Sequence, residues 1–328
     1  MKKVFLIIAI LILAGAGCFK AKQQPAGQAT ESGGEIAPEA PLVLPEYTKY
    51  DGLQYGEAGG EKLLLNLYIP KGATKPLPLI IYIHGGGWIS GGKDDVPDSG
   101  DESPTDLILK FGYAAVSLDY RLASFTGQTP EDHQFPAQIH DVKGAIRWLR
   151  ANAKKYNLDS GHFAVWGRSA GAHLASLAGT SGGVPELEGE VGGNLEYSSK
   201  VQAVYDEFGP AVLYDFASQK DQPGAPKEIS ANFAVSQLFG SDIALNKERA
   251  EKASPTAYAT ADDPPFLIIH GKGDTTVPYA HSEKLYAALQ KAGVEATLKI
   301  FDEMGHGEGA RSGELNTMAK NFFGKHLR

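Results

Sequence analysis

The chain has 328 residues, 42% apolar and 21% charged, with a net charge of −8 at neutral pH. This composition supports a sizeable core in one domain with extensions, and the lack of any basic block excludes nucleic acid as an expected partner. The single cysteine, Cys18, excludes an intramolecular disulfide, so the fold must stand on its core.

Lys2 and Lys3 precede an unbroken apolar run, Val4 to Leu13, and Ala14-Gly15-Ala16-Gly17 follows. Charged start, short apolar core and small residues predict a signal peptide over 1–17. The run is shorter than the roughly 20 residues a membrane span needs. Cys18 directly after it resembles a bacterial lipoprotein signal, which implies that Cys18 carries lipid and anchors the chain to a membrane. Gly15 departs from that pattern, where a leucine-like residue is usual. The expected location is exported: membrane-anchored through the lipid, otherwise periplasmic or secreted. Residues 18–45 read as the anchor cysteine and a disordered tether, and 46–328 as the folded domain.

Within the domain, Lys62 to Ile69 reads as a strand stopped by Pro70. Leu79 to Ile83 is apolar throughout, as buried parallel strands are, and His84-Gly-Gly-Gly-Trp88 closes it. The acidic group Asp94, Asp95, Asp98, Asp101 and Glu102 lacks the alternation of a calcium loop and reads as a solvated surface. Tyr113 to Leu118 is the next strand, followed by Asp119-Tyr-Arg-Leu122. Gln134 to Asn152 has helical spacing, with Ile139, Val142, Ile146 and Leu149 on one face. Phe163 to Trp166 leads into Gly167-Arg-Ser-Ala-Gly171 and a small-residue helix to about Ala178. Further strands are expected at Val201 to Phe208, Phe266 to Ile269 and Ala296 to Phe301, with helices at His281 to Ala292 and over 312–327. Residues 211–261 hold no clear core strand and read as a small cap insertion. The alternation predicts an α/β fold with a mostly parallel central sheet flanked by helices.

Attack on an ester by a hydroxyl needs a base, an acid that orients the base, and donors for the oxyanion. Ser169 sits in a strand–turn–helix context, the nucleophile elbow. Gly86 and Gly87, with His84 and Gly85 as support, end a buried strand and can offer bare N–H groups, and Ala170 follows the serine. Asp274, after the strand Phe266 to Ile269, is the candidate acid, with Asp206 and Glu207 as rivals. Among nine histidines, His306 lies in a glycine-flanked loop after the last strand and is the candidate base. His173 and His140 read as packed or structural, and His281 begins an outer helix.

With these motifs in this order, the chain resembles an α/β-hydrolase of the esterase branch with an HGGG oxyanion loop. That branch includes hormone-sensitive-lipase-like enzymes and bacterial feruloyl or acetyl-xylan esterases. The likeness runs from about Leu64 to Gly307 and includes Ala253-Ser-Pro. It implies a serine carboxylesterase acting on short-chain or carbohydrate-linked esters, with catalytic Ser169, Asp274 and His306. It also implies oxyanion donors at Gly86, Gly87 and Ala170, and no metal or cofactor. Arg168 departs from the family pattern and leaves the charge of the pocket open, and Ala172 stands where a further glycine is frequent. Two other readings are a prolyl-oligopeptidase-like exopeptidase, which lacks room here for its propeller, and a catalytically silent hydrolase-fold binding module.

Overall fold

The structure, a computed structural model, describes residues 44–95, 103–218, 231–307 and 313–328. The expected signal peptide, Cys18 and almost all of the expected tether lie outside the described residues, as do Asp98, Asp101, Glu102 and residues 219–230 of the expected cap insertion. Among the described residues, strands β1 (Tyr47–Ala58), β2 (Glu61–Pro70), β3 (Leu77–Ile83), β4 (Ala114–Leu118), β5 (Leu158–Arg168), β6 (Ala203–Glu207), β7 (Phe266–Gly271) and β8 (Ala296–Phe301) form one sheet. Their spatial order is β1-β2-β4-β3-β5-β6-β7-β8. The β1–β2 and β2–β4 pairs are antiparallel, and every pair from β4–β3 to β7–β8 is parallel.

Alternate residues of the parallel strands feed two buried clusters, one on each face. In β3, Leu79, Ile81 and Ile83 join the first, and Ile80 and Tyr82 the second. Helices α1 (Pro104–Lys110), α2 (Ala137–Ala151), α3 (Ala170–Thr180), α4 (Pro185–Glu188), α5 (Leu213–Ser218), α6 (Ala231–Phe239), α7 (Lys247–Lys252), α8 (Ala280–Ala292) and α9 (Gly313–His326) surround the sheet. The first face receives Ile139, Val142, Ile146 and Leu149 from α2, Leu174 and Leu177 from α3, and Leu285 and Leu289 from α8. The second receives Leu107 and Ile108 from α1, and Leu315, Ala319 and Phe323 from α9. Burial on both sides is why these strands are apolar at consecutive positions. The described residues between β6 and β7 hold short helices and no strand. No helix among the described residues is long and apolar enough to cross a membrane.

Strand β1 was not expected. It is an edge strand exposed along most of its length, so it carries no apolar run to announce it. Register shifts break its pairing with β2 around Asp51-Gly52, where the Gly52 N–H donates to Asn66 Oδ1 at 2.9 Å. Helix α1 was also missed, although Ser103-Pro104-Thr-Asp106 is a start signal: Ser103 Oγ accepts from the Asp106 N–H at 3.1 Å, with Pro104 in the first turn. Asp94 and Asp95 sit in a bonded turn, accepting from Asn66 Nδ2 at 2.7 Å and from the Gly92 N–H at 2.9 Å.

Phe323 joins α9 to the second face, with ring centroids 6.4 Å from Tyr113, 6.2 Å from Trp166 and 6.1 Å from Tyr205. Phe323→Ala should lower the unfolding free energy by about 3–5 kcal/mol. Urea denaturation should show this as a lower midpoint at unchanged slope.

Candidate active site

The ends of β3, β5 and β7 and the loop after β8 converge at Ser169. Ser169 joins β5 to α3 with φ +54° and ψ −122°. That left-handed conformation costs a non-glycine residue about 1–3 kcal/mol and persists only where the surroundings enforce it. Here the Ser169 N–H donates to the Glu207 carbonyl at 3.0 Å, and its own carbonyl accepts from the His173 N–H at 3.0 Å. The bracketing glycines are steric necessities. A Cβ at Gly167 would lie 2.1 Å from the Gly171 carbonyl oxygen, and one at Gly171 would lie 2.1 Å from that of Ile83. The first turn of α3 therefore presses directly against the end of β3.

His306 lies within reach of both its expected partners. Its Nε2 accepts from Ser169 Oγ at 3.0 Å, and its Nδ1–H donates to Asp274 Oδ2 at 2.7 Å. Asp274 Oδ1 accepts from the Thr276 and Val277 N–H groups, each at 2.8 Å. His270 Nε2 lies 3.2 Å from Asp274 Oδ2 and 2.7 Å from the Val277 carbonyl, and its Nδ1 meets Ser282 Oγ at 2.6 Å. Burial pushes the Asp274 carboxyl up, but the hydrogen bonds from His270, His306 and Val277 outweigh it and hold the group well below the usual carboxylate range. Its stabilising contribution is thus present above the ordinary aspartate pKa of about 4, and is lost only as pH falls toward the depressed value. The rival carboxylates are engaged elsewhere. Asp206 accepts from Ser176 Oγ and from the Gly209 N–H, and Glu207 pairs with Arg168.

The glycine loop stands beside the serine: a Cβ at Gly85 would lie 3.4 Å from the Ser169 Cβ. Gly86 has φ +99°, and its carbonyl accepts from the Ile89 and Ser90 N–H groups at 3.1 Å each and from Ser90 Oγ at 3.0 Å. The loop is thereby folded back on itself, while the Gly86 and Gly87 N–H groups take no partner among the described residues. Ala170 is the first residue of α3, where the helix start leaves N–H groups unpaired. His84 is buried, contacts the Gly85 carbonyl through Nδ1 at 2.8 Å, and stacks on Tyr120 with centroids 4.3 Å apart. The Tyr120 hydroxyl donates to the His84 carbonyl at 3.2 Å.

Two supporting residues were not assigned from sequence. Tyr120 belongs to the quoted Asp-Tyr-Arg-Leu motif but had no role. His173, read as packing, bridges three elements. Burial pushes it down to about 4, so it is neutral at physiological pH. Its Nδ1 accepts from Trp88 Nε1–H at 3.2 Å, and its Nε2–H donates to the Ala253 carbonyl at 2.7 Å. Trp88, immediately after the three glycines, is thus tied to the nucleophile helix. Of the other histidines, His140 contacts the Glu186 carbonyl at 3.0 Å and His281 packs edge-on to Phe216 at 5.6 Å.

Comparison with known proteins places this geometry in context. Residues 65–289 match the BD-FAE family model. The chain is 36% identical over 276 residues to the carboxylesterase NlhH of Mycobacterium tuberculosis, covering 81% of this chain and 77% of that protein. It is 32% identical over 247 residues to the esterase LipC of the same organism, covering 73% of this chain and 56% of LipC, so the match spans little more than half of that relative's length. Among solved structures, a truncated carbohydrate esterase from gut microbiota superposes with a TM-score of 0.72 at 28% identity, covering 86% of this chain and 99% of the other.

Replacing Asp274 by Asn presents an N–H to His306 Nδ1 and favours the wrong imidazole tautomer. Acylation of Ser169 by a chromogenic ester, followed by stopped flow, should slow about 10⁴-fold.

Proposed function

From the premise that the chain belongs to the BD-FAE family and carries an α/β-hydrolase fold, we propose that it is a serine carboxylesterase working through an acyl-enzyme. The observation that carries this reading is the continuous relay from Ser169 Oγ through His306 to Asp274, with spacings of 3.0 and 2.7 Å. Ser169 Oγ attacks the ester carbonyl while His306 Nε2 takes its proton. Asp274 holds the ring by Nδ1 and stabilises the imidazolium that forms. The N–H groups of Gly86, Gly87 and Ala170 receive the oxyanion. As the tetrahedral adduct collapses, His306 gives its proton to the leaving alcohol. Water then attacks the acyl carbonyl as His306 Nε2 takes its proton. Collapse of this second adduct breaks the bond to Ser169 Oγ, which receives that proton from His306 as the acid leaves.

The substrate class is a short-chain or carbohydrate-linked ester. Support comes from the likeness to a carbohydrate esterase and to mycobacterial carboxylesterases. The relay is complete, which disfavours a silent binding module, and no relative named above is a peptidase. Export and a lipid anchor on Cys18 belong to the same proposal and rest on Lys2, Lys3, the apolar run and the small residues before the cysteine. An enzyme anchored in this way meets polymer-linked esters outside the cytoplasm.

Two outcomes are expected. Ser169→Ala should reduce p-nitrophenyl acetate hydrolysis by about 10⁶-fold with an unchanged circular-dichroism spectrum. Cys18→Ser should move the protein from the membrane pellet to the soluble fraction of the expressing bacterium. An unchanged distribution would remove the anchor from the account without touching the chemistry.

A further inference from the structure

The residue that the family pattern does not explain, Arg168, lies directly before the nucleophile. Its guanidinium turns toward β6: Nε pairs with Glu207 Oε2 at 2.9 Å, with side-chain exposures of only 12% and 4%. An ion pair this deep loses much of its attraction to desolvation, so stability alone is a weak reason for it. Its contacts give a stronger one. The guanidinium lies over the Phe208 ring, 5.2 Å from its centroid, and the same ring stands 4.8 Å from the His306 imidazole at 62°. Arg168 Nη2 also donates to the Gly307 carbonyl at 3.4 Å.

We infer that the Arg168–Glu207 pair positions the general base, fixing Phe208 against one side of His306 and holding the carbonyl of the residue after it. The inference rests on the esterase reading above and names what aims its imidazole. Glycines flank His306 in Gly305-His-Gly307, so the local backbone does little to orient the ring. Asp274 and Ser169 hold its two nitrogens but leave rotation about their line free. Phe208 blocks that rotation. It is a bulky residue at φ +51°, a conformation that needs enforcement, and its N–H is tied to the Ile269 carbonyl at 2.8 Å. Arg168 places its guanidinium over the same ring, 5.2 Å from the centroid. Glu207 orients the guanidinium, and its own carbonyl accepts the Ser169 N–H, so the nucleophile and the support of its base share one residue. Only a planar group can stack on Phe208, pair with Glu207 and donate to Gly307 together; lysine carries the charge on one atom.

The test is steady-state hydrolysis of p-nitrophenyl acetate by the intact protein and its R168M, R168K and R168M/E207Q variants. A mis-aimed base slows chemistry without weakening binding. R168M should therefore lose about 10–100-fold in kcat while KM stays within about twofold, and R168K should recover part of the loss. R168M leaves Glu207 buried without its partner, so folding is controlled by R168M/E207Q, which carries no uncompensated charge. That double variant should melt near the wild-type temperature and show the same kcat loss. Wild-type kcat in R168M/E207Q, or a loss no larger than the unfolded fraction in either variant, overturns the inference and leaves the esterase reading standing. A wild-type protein no faster than S169A overturns both.

Discussion

The site depends on one close approach. The first turn of α3 lies against the end of β3 so tightly that no side chain fits at Gly171. That contact bends the chain at Ser169 into a strained conformation and lifts its hydroxyl out of the sheet. It also brings the glycine loop after β3 alongside Ser169. The serine and the N–H groups proposed to receive the oxyanion are thus placed by the same packing. The parallel register of β3, β5, β6 and β7 then delivers Glu207, Asp274 and the loop after β8 to the same edge.

Around this contact, burial decides which ionisable groups can act. His173 is fully enclosed and kept neutral, which suits it to accept one hydrogen bond from Trp88 and donate one to the Ala253 carbonyl. Burial likewise pushes His281 down to about 4 and raises Asp206, which is occupied by Ser176. Asp274 resists the same desolvation because four donors converge on it, so it stays a carboxylate facing His306. His270 also reaches a carboxylate and a hydroxyl but is fully buried, whereas His306, with its side chain 24% exposed, bridges Asp274 and Ser169 where a substrate can approach.

Much of this was legible in the sequence, for physical reasons. Strands buried on both faces must be apolar at consecutive positions, so β3 and β7 announced themselves. Glycines forced by close approach flagged the elbow and the loop at 84–88. What escaped detection follows the same logic. The exposed edge strand β1 buries little and so has no hydrophobic signature. Tyr120 and His173 act through contacts between segments 36 and 85 residues apart in the chain, to the His84 carbonyl and to Trp88 respectively, which no local pattern records. Arg168 looked like a charge in the pocket. Its pairing with Glu207 depends on the β5–β6 register, which places the two side by side.

The central claim is that Ser169 is an activated nucleophile. The most direct measurement is treatment of the folded protein with a fluorophosphonate, followed by peptide mapping of the adduct by mass spectrometry. The account predicts one adduct per chain, on the peptide bearing Ser169, and none after the protein is unfolded first. No adduct on the folded protein, or one on a different serine, would contradict it.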